Sequence, residues 1–140
     1  MAFAAIVDAS AMVALFGRDQ PSAAHYNQLF ARAAQEQWSL TSTWPCITEA
    51  SYLLGLPQRY AFLRWVAADG VSIFPFDQTN LEGMADLMRR YTESPRTEMD
   101  FADASLVYLA SDTGVNRIMT LDVRDFSRYR LADGRAFEIL

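Results

Sequence analysis

The chain contains no lysine; all 12 of its basic residues are arginine. That absence excludes a Schiff-base lysine, a phosphate-binding loop of the form GxxxxGK(S/T), and a phosphate-receiver site that needs a lysine beside its acids. Only one cysteine, Cys46, and one histidine, His25, are present. Cys46 can form no internal disulfide, and the two residues cannot furnish the four ligands of a structural zinc site. A Ser-His-Asp triad would have to use His25, which lies in the polar stretch PSAAHYNQLFARAAQEQ and reads as a surface-helix residue. The apolar start AFAAIV is too short for a membrane span, lacks a basic flank and runs at once into Asp8. It reads as neither signal peptide nor anchor, and the protein is expected in the cytoplasm. The net charge of −5 is opposite to the basic footprint of a protein that holds nucleic acid by neutralising phosphates. An enzyme that needs only brief contact with nucleic acid remains compatible with it.

What is present suits one domain over residues 1–140, 51% hydrophobic and long enough to bury a core without disulfides. No repeat or linker interrupts it. Apolar runs of strand length occur at 2–7, 38–42, 71–75, 116–121 and 136–140. Between them, helical spacing predicts a helix directly after Asp8, a second opened by Pro21, and a third capped by Thr43 and ended by Gly55 and Pro57. Further helices are predicted over 58–69, from Asp77 through Tyr91, and from an Asp100 cap to Gly114. Strands alternating with helices argue for a mainly parallel sheet, whose ligand site lies outside the carboxyl ends of its strands.

Asp8 and Asp122 fall at such strand ends. Asp8 reads either as a helix cap or as a site carboxylate. Glu49, in TWPCITEASYLLG, reads alone as an exposed-face residue. Asp100 and Asp103 lie three apart at a helix start, where Asp100 is the better cap and Asp103 the better site candidate. Asp122 and Asp125 follow the fourth strand in TLDVRDF; position favours Asp122 for the site, and Asp125 suits capping or turning the loop before FSRYR. Converging carboxylates repel by about 4 kcal/mol per pair at about 4 Å and an effective dielectric of about 20, so a cluster needs protons or a cation. Oxygen-only donors select Mg²⁺ or Mn²⁺ over Zn²⁺, which suits phosphodiester hydrolysis.

Four segments, IVDASAMVALF, TSTWPCITEASYLL, MDFADASLVYLA and IMTLDVRDF, resemble in order and separation the acidic motifs of PIN-domain ribonucleases, with the VapC-type toxins nearest. The resemblance spans nearly the whole chain. It implies a PIN-like three-layer α/β fold with a parallel five-stranded sheet of order 3-2-1-4-5 flanked by helices, which sets the first and fourth strands side by side. It also implies an Mg²⁺-dependent endoribonuclease, with Mn²⁺ as substitute, acting on RNA and leaving a 5′-phosphate. Catalytic roles fall on Asp8, Glu49, Asp103 and Asp122, and metal ligation on Asp8, Asp103 and Asp122 with Asp100 as an outer ligand. Ser10 and Thr120 match the small hydroxyl residues beside the acids, where they could orient a water. The implied partners are a cognate antitoxin protein and a second copy of the chain in a homodimer.

Arg89 and Arg90, at a helix end, suit either the helix dipole or a contact with RNA phosphate. The polar loop TESPRTE looks longer than is usual in these proteins and carries Arg96, a third candidate RNA contact. Two other functions are compatible in outline. A catalytically silent PIN-like protein-binding module is opposed by the intact set of four acids. Another acid-cluster phosphohydrolase, such as a haloacid-dehalogenase-like phosphatase, would need DxDx(T/V) where this chain has Asp8-Ala9-Ser10.

Overall fold

A computed structural model describes residues 3–94 and 97–140. β1 (Ala4–Val7) runs directly into α1 (Ala9–Phe16), followed by α2 (Ala23–Gln35), β2 (Ser39–Ser42), α3 (Trp44–Leu53) and α4 (Gln58–Ala67). The second half comprises β3 (Ser72–Ile73), α5 (Leu81–Tyr91), α6 (Phe101–Thr113), β4 (Arg117–Met119), α7 (Val123–Phe126) and β5 (Glu138–Ile139). The strands form one parallel sheet of order β3-β2-β1-β4-β5. This is the PIN-like architecture expected from the sequence.

Burial explains the order. In β1, Ala5, Ile6 and Val7 are fully enclosed, as a central strand covered on both faces requires. Around the sheet, α1 packs on α2, α3 and α4, α5 packs on α6, and α3 meets α6. Buried Tyr26, Phe62, Met84, Leu106, Leu109 and Phe126 fill the space between. α6 ends where Gly114 takes a left-handed conformation, φ 77°, and returns its N–H to Ala110 O at 2.8 Å.

Several boundaries differ from expectation, for physical reasons. The fourth strand stops at Met119 and not at Leu121, because its neighbour β1 ends at Val7 and turns into α1, leaving Thr120 and Leu121 no strand to pair with. α2 begins at Ala23 after a turn at Pro21. Thr43 occupies the N-cap position of α3 as expected, but its hydroxyl makes no capping hydrogen bond; it pairs instead with Ser105 Oγ at 2.6 Å, joining the start of α3 to α6 inside the core. Asp77 caps a short 3₁₀ turn, Gln78–Asn80, that leads into α5. α7 was not expected.

The turn into β3 depends on Gly70. Its N–H donates to Trp65 O at 2.8 Å, and a Cβ at this position would lie 2.2 Å from the Trp65 ring. Trp65 cannot readily yield, because its ring abuts Phe16, Phe30 and Phe62. Gly70→Ala should therefore destabilise the protein by about 1–3 kcal/mol through overpacking, read from denaturant unfolding at unchanged m-value.

Candidate active site

The sheet order reverses between β1 and β4, and the acids collect at the carboxyl ends of these two strands. Asp8, the first residue past β1, extends the ladder by donating its N–H to Met119 O at 3.0 Å. Its side chain is only 5% exposed as a residue. Oδ1 accepts the Ala9 N–H at 2.7 Å, so the capping role is real. Oδ2 accepts the hydroxyls of Thr120 at 2.7 Å and Ser10 at 3.2 Å. Those hydroxyls also serve the opposite loop: Leu121 N–H donates to Ser10 Oγ and Asp122 N–H to Thr120 Oγ1, both at 3.0 Å. Ser10 and Thr120 thus lock Asp8 to the chain that carries Asp122.

Asp103 stands one turn into α6, whose first turn is capped by Asp100 Oδ1 accepting the Asp103 N–H at 2.8 Å. Asp103 Oδ2 accepts the Tyr129 hydroxyl at 2.8 Å. Asp122 caps α7 by accepting the Asp125 N–H at 3.3 Å. One carboxylate oxygen from each of Asp103, Asp122 and Asp125 lies within 4.8 Å of the others. Asp125 therefore stands inside the cluster, where the sequence placed it outside, and the capping role expected of it belongs to Asp122.

Glu49, half-buried on α3, lines a groove with Asp100, Trp44, Tyr52, Phe76 and Phe101 beside this cluster. Electrostatics unite the group. Burial raises the carboxyl of Asp8, partly offset by the Thr120, Ala9 and Ser10 hydrogen bonds. Asp103 is pushed up to about 8 by burial and then by the charges of Asp100 and Asp8. Burial raises Glu49 too, helped by Asp8, Asp100 and Asp122, and it raises Asp122.

Among the described residues, Arg128 is the cation hydrogen-bonded to the cluster, through Asp125 at 3.3 Å. Cys46 is buried with Sγ 3.9 Å from Ala102 O and its thiol held protonated by burial, and His25 is exposed on α2; neither joins the acids. Apart from the Arg128 guanidinium at its edge, the cluster is built from carboxylates and hydroxyls, so the donor set fits a hard divalent cation, and among the described residues no soft ligand competes. Arg89 and Arg90 lie on the last turn of α5, exposed. Arg90 lines a groove with Tyr108, Ser111 and Ala132, well along α6 from Asp103, and among the described residues no hydrogen bond or ion pair joins either arginine to the acids. Arg96 lies outside the described residues.

Sequence reasoning did not find Tyr129, Arg128 or the place of Asp125. All three sit on or just after α7, whose four residues gave no periodic signal.

Over residues 5–131 the chain matches the PIN domain family. No curated protein matches the sequence. Among solved structures it is similar to VapC20 of Mycobacterium tuberculosis, a Sarcin-Ricin loop cleaving toxin, with a TM-score of 0.74 at 17% identity over 86% of this chain and 92% of that one. It is also similar to FitAcB from Neisseria gonorrhoeae, with a TM-score of 0.61 at 17% identity over 96% of each chain. At these identities the likeness is one of fold.

Without a cation, Asp103 binds its proton near pH 8 in the folded protein and near its ordinary 3.8 in the unfolded chain. The stabilisation this proton gives is complete below about pH 4 and is lost as the pH rises through about 8. Asn at this position has no charge to bury. In chelator, the melting temperature of Asp103→Asn should exceed that of the wild type by a margin that grows from about pH 5 to about pH 9. A flat margin would show that Asp103 ionises freely.

Proposed function

The chain belongs to the PIN domain family, and on that premise we propose that it is a divalent-cation-dependent endoribonuclease, working in the cytoplasm as the toxin of a toxin–antitoxin pair. The observation that carries this reading is the meeting of Asp103, Asp122 and Asp125 beside buried Asp8 at the ends of β1 and β4. Residues 1–140 act as one PIN domain.

Asp8, Asp103 and Asp122 would hold the cation, with Asp100 as an outer ligand and Asp125 added by its position. Mg²⁺, or Mn²⁺ in its place, would supply Lewis acidity at the scissile phosphate and ease deprotonation of the attacking water. Glu49, whose carboxyl is raised by burial and by its acidic neighbours, is suited to accept that proton. Ser10 and Thr120 fix the Asp8 carboxylate through hydrogen bonds to Oδ2, and so limit its rotation during the reaction. In-line attack forms a new P–O bond from water as the P–O3′ bond breaks, leaving a 5′-phosphate on one fragment and, after proton uptake, a 3′-hydroxyl on the other. The charge of the acids repels RNA until a cation is present, which couples substrate binding to cation binding.

The toxin assignment draws on the fold shared with VapC20. A cognate antitoxin would place a basic side chain among the carboxylates, meeting the same electrostatic demand as the cation. A homodimer is supported by a large exposed apolar face on α3 and α4, with Trp44 58% and Tyr52 81% exposed and Leu53, Leu56, Tyr60 and Leu63 beside them.

RNA cleavage should require Mg²⁺ or Mn²⁺ and stop in chelator; full cleavage with verified negligible metal would rule the mechanism out. Asp8→Asn and Asp103→Asn should abolish cleavage, and Asp103→Asn should melt no lower than wild type, since it removes a repelling charge. Asp100→Ala should lose about 1 kcal/mol of stability with part of the rate, as a lost helix cap does. Asp125→Ala should also lower the rate, because its carboxylate lies within 4.8 Å of those of Asp103 and Asp122. Sedimentation of the isolated protein should report a dimer, and Tyr52→Asp should convert it to monomer without loss of fold.

A further inference from the structure

We infer that the turn after α7 is a positioning arm for the acid site: Tyr129 and Arg128, adjacent in the chain, each fix one carboxylate of the Asp103, Asp122 and Asp125 cluster and hold these groups facing one another. This rests on the cation-dependent reading above and adds to it two residues that touch the cluster from outside.

Tyr129 is wholly enclosed, its ring edge-on to Tyr91 and Phe126 with centroids 5.0 Å from each. The ring cannot swing, so its hydroxyl has a fixed direction, and that direction ends on Asp103 Oδ2 at 2.8 Å. Arg128 donates from Nη2 to Asp125 Oδ1 at 3.3 Å, while Nη1 lies 4.0 Å from Glu93 Oε1. Its Nε is buried with no hydrogen-bond partner among the described residues, so packing holds the guanidinium where it cannot satisfy all its donors. The turn that carries both residues is itself braced. Arg128 and Tyr129 return their N–H groups to Asp125 O at 2.9 and 3.1 Å. Arg130 Nη1 donates to Ser127 O and Tyr129 O at 2.8 Å, and the Arg130 N–H donates to the Tyr91 hydroxyl at 3.1 Å.

A carboxylate that accepts a fixed donor on one oxygen keeps a single orientation, and groups that orient ligands in this way typically affect cation affinity about 10–100-fold. Arg128 provides a sharper distinction. As a positive charge beside the cluster it weakens cation binding by repulsion, so its removal should tighten binding if charge is its only role. As a positioning residue, its removal should loosen binding.

The test is Mn²⁺ binding to the full chain without RNA, measured by calorimetry and by the Mn²⁺ paramagnetic resonance signal, with cleavage measured separately against cation concentration. Tyr129→Phe should weaken Mn²⁺ binding about tenfold, with most of the cleavage rate restored at saturating cation. In an Asp103→Asn background the same change should have no further effect on affinity, whereas a merely structural tyrosine would act equally in both. Arg128→Ala should also weaken Mn²⁺ binding, and it carries the test if Tyr129→Phe does not fold, because it leaves the Tyr129 ring in place. Tyr129→Phe binding Mn²⁺ as tightly as wild type, or Arg128→Ala binding it more tightly, would overturn the positioning role while leaving the cation-dependent reading intact. Wild-type protein that binds no Mn²⁺ would overturn both.

Discussion

The hydrogen bond from Thr120 to Asp8 joins residues 112 positions apart, and the acid site depends on it. β1 and β4 pair over only two registered positions, Ile6 with Ile118 and Val7 with Met119, before both chains leave the sheet. Side chains then take over from backbone. The Thr120 and Ser10 hydroxyls bind Asp8 and also receive the N–H groups of Asp122 and Leu121, so two diverging segments stay in contact where no ladder remains. Each hydroxyl can both donate and accept, which a carboxylate or an amide N–H alone cannot do. The strand ends are thereby brought close enough for Asp122 to face Asp103 of α6 and Asp125 of α7.

Holding these acids together works against folding. Burial raises the carboxyls of Asp8, Asp103, Glu49 and Asp122, and the charges of neighbouring acids raise all four further. The surrounding core is what makes this tolerable: Ile6, Val7, Ala104, Leu106, Val107 and Met119 are buried next in sequence to the acids or within a few residues of them. A cation in the cluster would convert the repulsion into attraction, so the same groups that strain the fold would then stabilise it. This is the usual exchange between stability and function, confined here to one end of the sheet.

Much of this was legible in the sequence because the signals were local. Asp8 ends a short apolar run, Asp100 and Asp103 open a periodic helix, and Gly114 closes it, and each of those features depends on neighbours within one or two turns. The order of strands and helices was readable for the same reason. What was hidden depends on contacts across the fold. Thr43 looked like a cap because a helical segment starts directly after it, yet its hydroxyl is claimed by Ser105, 62 residues away. The fourth strand looked longer because Thr120 and Leu121 are compatible with a strand, but strand length is set by the partner, and β1 had ended. Asp125 looked peripheral because α7 is a single turn, too short to show periodicity, and only that turn aims it at Asp103.

The site draws on Asp8 and Glu49 from the first half of the chain, and on Thr120, Asp122 and the Tyr129 brace from near its other end. During synthesis on the ribosome these parts emerge in that order. A nascent chain that has reached α6 already displays Asp8, Glu49 and Asp103, but it lacks the loop that closes on Asp8 and the turn that steadies Asp103. The unfinished polypeptide cannot assemble the acid cluster, so the order of the strands lets the site close only after both sides of the sheet have been made.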